Sequence, residues 1–130
     1  MRYIAIVLLS VSLFAGSCRK ESQGAAIPDG TYTGTFQRTG GPVANVALTF
    51  SGKSWTGQSQ TPQYPALCEG SYSSTVEGDI NVEQACFWTA NFDWSLILDG
   101  EYEFSISGRD IRLTKNYSGG TQDIYNLTKQ

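Results

Sequence analysis

From Asp29 to the end of the chain the apolar residues return at every second position, and that period restricts the fold to strands. Side chains alternate between the two faces of a strand, so a period of two yields one apolar and one polar face, whereas a helix needs a repeat near 3.6. Tyr32 and Phe36 fall in one phase, with Thr31, Thr33 and Thr35 in the other. Val46, Leu48 and Phe50 make a second inward row, and Tyr125 with Leu127 a last one. The β-branched, aromatic and threonine residues that dominate here suit a pleated, half-buried surface. Residues 84–95 are the ambiguous stretch, rich in aromatics without clean alternation.

Turn chemistry sets the register of two hairpins. Gly52-Lys53 lies between Ser51 and Ser54, and Gly108-Arg109 between Ser107 and Asp110. A two-residue loop led by glycine suits the positive φ of a type II′ turn. The first places Phe50 opposite Trp55 and Leu48 opposite Gly57. The second places Ile106 opposite Ile111 and Phe104 opposite Leu113, with Glu101, Glu103, Ser105 and Arg112 facing outward. Further strands are expected over residues 67–74, 79–83, 94–98 and 123–129. About eight or nine short strands joined by glycine-containing turns predict an all-β fold: a single small antiparallel meander of about eight strands, closed or nearly closed into a barrel, or else a two-sheet sandwich.

Residues 1–17 do not share this pattern. Arg2 gives a positive head, residues 4–14 are apolar apart from Ser10 and Ser12, and Ala15, Gly16 and Ser17 lead to Cys18. The apolar run is shorter than the roughly 20 residues of a membrane-spanning helix, which predicts a removable export signal. The end of this segment resembles the lipobox of Gram-negative lipoproteins, cut before a cysteine whose thiol carries lipid. An uncleaved anchor or a plain secretory signal are the alternatives. The expected layout is a signal peptide over 1–17, the lipidated Cys18 and a tether over 18–28, and one β domain over 29–130. Each acyl methylene buried in a bilayer contributes about 0.8 kcal/mol, so two or more chains anchor durably. The expected location is the bacterial cell envelope, at the outer membrane on its periplasmic or surface face.

Removing 17 residues leaves 113 of 130, enough for one ordinary domain. The formal charge of −3 moves to about −4 without Arg2, and that acidic balance argues against a nucleic-acid partner. Histidine is absent, which removes the commonest general base and the commonest transition-metal ligand. Serines have no evident activating base, so no catalytic residue, cofactor or metal is assigned and the chain is not expected to be an enzyme. With Cys18 used for lipid, Cys68 and Cys86 remain as an even pair in an oxidising compartment, which predicts a disulfide in preference to two thiols or a zinc site.

Trp55, Tyr64, Phe87, Trp88, Phe92 and Trp94 are the candidate ligand-binding residues, since aromatic rings supply large contact area at low entropy cost. The competing reading is that they fill the barrel. It is favoured for Phe92 and Trp94, whose phase continues into Leu96 and Leu98, whereas Trp88 stands evenly between the two. Asp93, Asp99, Glu101 and Glu103 gather carboxylates, yet Glu101 and Glu103 share one face of one strand, where they read as solvated outer surface rather than an acid–base pair.

The opening over residues 30–36, the meander and the closing hairpin over residues 100–115 followed by 123–129 resemble small lipocalin-like (calycin-type) domains of bacterial envelope lipoproteins. A looser similarity is to META-type lipoprotein domains, through the strand-rich layout and a cysteine near residues 70–72. The lipocalin resemblance implies a barrel that holds a small apolar or amphipathic ligand. The alternative is a protein-interaction module, an envelope-assembly partner or inhibitor, with a filled barrel and loops such as residues 60–67 presented outward. A monomer is expected, attached to the membrane through its lipid.

Overall fold

The computed structural model describes residues 26–89 and 91–130. Eight antiparallel strands form a closed meander: β1 Gly30–Arg38, β2 Val43–Ser51, β3 Ser54–Ser59, β4 Glu69–Ser74, β5 Asp79–Gln84, β6 Gly100–Ser107, β7 Asp110–Asn116 and β8 Gln122–Lys129. Each pairs with the next, and β8 returns to β1, so no strand edge is left open. Two 3-10 turns, Trp94–Leu96 and Ser118–Gly120, interrupt the loops. No helix among the described residues is long and apolar enough to cross a membrane.

Both glycine-led hairpins have the register that their turns dictate, with Phe50 opposite Trp55, Leu48 opposite Gly57, Ile106 opposite Ile111 and Phe104 opposite Leu113. Gly52 and Gly108 each adopt φ 60°. Closure places other demands on glycine. At Gly34, in the inward phase of β1, a Cβ would meet the Asn126 carbonyl of β8, and Gly70 on β4 faces the Glu83 carbonyl of β5 in the same way. Backbones that approach this closely let a sheet of eight short strands coil shut.

Inward side chains fill the barrel as one cluster. Tyr32, Phe50, Trp55 and Tyr72 pack at the end where β1 begins, Leu48, Val82, Ile111 and Leu127 across the middle, and Phe36, Tyr102, Tyr125 and Leu98 toward the other end. Rings meet edge-on, Tyr32 with Phe50 at 5.5 Å and Phe50 with Tyr72 at 5.6 Å. Trp55 is 2 % exposed and donates its indole N–H to the Ser71 carbonyl at 3.2 Å.

Two expectations need correction. Ile27, assigned to the tether, is 1 % exposed inside the barrel cluster; its N–H donates to the Tyr72 hydroxyl at 3.0 Å, and the Tyr32 hydroxyl donates to the Pro28 carbonyl at 2.7 Å. An isoleucine just before the first strand closes that end against water, so the packed domain includes Ile27. The strand expected over residues 94–98 is instead a 3-10 turn followed by extended Ile97, because Asp93 caps the turn by accepting from the Ser95 N–H. β4 also starts at Glu69, leaving Leu67 and Cys68 in the preceding loop.

Candidate interaction surface

Strand direction sorts the loops. The end where β1 starts carries three short turns and the incoming Ile27, whereas the opposite end carries the long loops over residues 60–68 and 85–99. Those two loops form a lid, and a buried ion pair fastens it. Arg38 closes β1 directly opposite Asp123 on β8, and both lie in the inward phase of their strands. Asp123 is 1 % exposed, and a carboxylate removed that far from water needs hydrogen-bonded partners. The guanidinium meets it as a fork, Nε to Oδ1 at 2.6 Å and Nη2 to Oδ2 at 2.7 Å.

The rest of that guanidinium reaches into the lid. Nη1 donates to Asp93 Oδ2 and to Ser95 Oγ, each at 3.0 Å, and Nη2 to the Ser95 carbonyl at 3.3 Å. Tyr117, from the β7–β8 loop, stacks its ring 5.1 Å from the guanidinium carbon and donates to Asp123 Oδ2 at 2.8 Å. The bonds to Asp123 hold the Arg38 guanidinium further above its ordinary pKa, partial burial and then the bond to Asp123 push the Tyr117 phenol up to about 12, and the bonds from Ser95 lower the Asp93 carboxyl. One arginine thus ties β1, β8, the β7–β8 loop and the 3-10 turn of the lid together.

Two further fastenings act on the same loops. Ala66 and Ile97 form a parallel bridge, with Ala66 N–H donating to the Leu96 carbonyl at 3.0 Å and Leu98 N–H to the Ala66 carbonyl at 3.2 Å. Cys68 and Cys86 are joined in a disulfide with Cα atoms 6.4 Å apart, as the cysteine pairing predicts. Glu69 lies beside those sulfurs, but the covalent bond removes the two thiolates that a metal would need.

On this fixed lid the aromatic candidates separate. Trp55 is core, and Tyr64 is a support: its ring stands 5.1 Å from Phe36, its hydroxyl accepts from the Arg38 N–H at 3.2 Å and donates to the Pro42 carbonyl at 2.8 Å. Phe87, Trp88, Phe92 and Trp94 come together on the outside of the lid. Trp88 meets Phe92 at 5.7 Å and Phe92 meets Trp94 at 6.2 Å. The Trp88 indole N–H donates to Gln84 Oε1 at 3.1 Å, the same oxygen that accepts from the Cys86 N–H. Phe87 is 98 % exposed and Trp94 56 %, which overturns the core reading of Trp94. Phe92 is half-buried, under its two neighbours rather than inside the barrel. With Ala85, Cys86, Ile97 and Asp99, the rings of Phe87, Trp88 and Trp94 border a groove of about 520 Å³, and Phe92 packs behind Trp88 and Trp94 without lining it.

No family model, curated protein or solved structure matches the chain. Cys18 lies outside the described residues. Glu101 and Glu103 are exposed on β6, as their phase requires, whereas Asp93, grouped with them by composition, belongs to the Arg38 cluster. Sequence reasoning missed Arg38, Asp123, Ser95 and Tyr117. A signal for two of them was present: Asp123 shares the phase of Tyr125 and Leu127, Arg38 that of Tyr32 and Phe36, and two opposite charges in inward phase imply a buried pair.

Proposed function

We propose that this chain is a lipid-anchored, lipocalin-like protein-interaction module of the cell envelope that works through its lid and not through its barrel interior. The observation that carries this reading is the contrast between a barrel filled by its own side chains and four aromatic residues held outside it on a covalently and ionically fastened loop. Binding energy in protein interfaces concentrates in a few large, rigid aromatic side chains, and a loop already fixed loses little entropy on docking. The filled interior counts against capture of a small apolar ligand in the barrel, the function that the lipocalin resemblance implies. Direction also fits. Residues 26–28 enter at the end opposite the lid, so a lipid on Cys18 would leave the aromatic face directed away from its own membrane.

Photo-crosslinking in the living envelope tests this. A benzophenone side chain at position 87 or 94 is expected to yield discrete protein adducts, and the same group at Thr128 or Thr35 on the barrel wall is not. Adducts of equal yield from all four positions, or none from the lid, would refute the proposal.

A further inference from the structure

We infer that the lid groove takes a cationic segment of a partner protein, with lysine or arginine side chains lying across the aromatic rings; this rests on the interaction-module reading and specifies its partner. The aromatic groove does not end at Cys86. It shares Gln84 and Ala85 with a second groove of about 360 Å³ between β3, β4 and β5. Asp99 borders the first, Glu69 and Glu83 the second, and no lysine or arginine lines either. Among the described residues none of these three carboxylates has an ion-pair partner, both ion pairs being made by Arg38 with Asp93 and Asp123. Glu69 and the two disulfide sulfurs lie within 4.8 Å of one another, which connects the acidic groove to the floor of the aromatic one.

Exposed aromatic faces beside carboxylates attract a cation twice over, through the ring quadrupole and through Coulomb's law. Arginine satisfies both, since its planar guanidinium stacks on a ring and forks onto a carboxylate. The same charges select against other occupants. A second copy of this chain would bring its own acidic groove, and an anionic lipid surface would be repelled by Asp99, Glu69 and Glu83. Acidic flanks around an apolar centre also steer encounter, which makes salt a readout.

The test uses the full chain in nanodiscs of zwitterionic phosphatidylcholine. The probe is a synthetic hexapeptide alternating tyrosine and arginine, titrated calorimetrically beside the same peptide carrying glutamate for arginine. The arginine peptide is expected to bind at least about tenfold more tightly, with affinity falling as salt rises. Trp94→Ala and the triple change Glu69→Gln, Glu83→Gln, Asp99→Asn are each expected to weaken it by about tenfold or more. Asparagine at 99 keeps the oxygen that accepts from the Gln84 N–H at 3.0 Å, and urea unfolding of each variant verifies an intact fold. Should the triple variant be unstable, Glu69→Gln with Glu83→Gln, both on the outer face, serves in its place. Equal affinity for the two peptides, no binding of the arginine peptide, or binding unchanged in both variants would overturn the inference. Lid crosslinks that persist alongside such a failure would reject the cationic partner alone, whereas loss of both would reject the module itself.

Discussion

Replacing Arg38 with alanine would leave the Asp123 carboxylate buried with the Tyr117 hydroxyl as its remaining side-chain partner. Removing one member of a buried pair costs roughly 3 to 5 kcal/mol, because the other charge stays uncompensated. Arg38→Ala is therefore expected to lower the urea midpoint sharply, and the loss should shrink in Arg38→Ala with Asp123→Asn, where no charge remains buried. The aromatic residues divide on the same measurement. Trp55→Ala should cost about 3 to 5 kcal/mol as a cavity in the core, while Phe87→Ala should stay within about 0.5 kcal/mol of wild type. Composition could not separate these two residues. Trp55 was placed by its hairpin register opposite Phe50, but the aromatic stretch after Gln84 has no alternation to read, and what orients it is the disulfide to Cys68, the Gln84 side chain and the bond from Arg38 to Asp93.

At the scale of elements, the hairpins were legible because turn and strand agree locally, glycine at the head of each two-residue loop and apolar pairs across it. The lid was not legible, since its shape depends on long-range partners. Phase alone extends Leu98 and Leu96 back to Trp94 as a strand; Asp93 overrides it by bonding the Ser95 N–H, and Arg38 holds that turn from 55 residues away. The disulfide closes a separation of 18 residues, and in the chain-entropy model such a loop contributes about 3 kcal/mol. Cys68→Ser with Cys86→Ser is expected to lose about that much and to speed hydrogen exchange at the Ala66 and Leu98 amides, which bridge the two lid loops. Strand closure has its own probe. Gly34→Ala sets a methyl against the Asn126 carbonyl, backbone that cannot rotate aside, and overpacking of this kind costs about 1 to 3 kcal/mol or more.

The whole molecule is stapled at one end by a buried ion pair and a disulfide, and sealed at the other by Ile27 beneath the Tyr32 and Tyr72 hydroxyls. Its tyrosines make it sensitive to alkali. Burial raises the phenols of Tyr32, Tyr72, Tyr102 and Tyr125, and takes that of Tyr117 to about 12. The unfolded chain releases these protons near the ordinary tyrosine value of 10.0, so above it the unfolded state binds fewer protons and stability falls as pH rises. Denaturant midpoints should hold below pH 10 and decline between about 10 and 12, with Tyr117→Phe declining less. In the proposed function the lid binds and the interior does not. Native mass spectrometry of the protein extracted gently from the envelope tests it most directly. The expected result is a chain free of any stoichiometric small molecule, in which a retained species is a protein and is lost in Phe87→Ala. A small molecule held one to one, kept equally by Phe87→Ala and released only on unfolding, would contradict it.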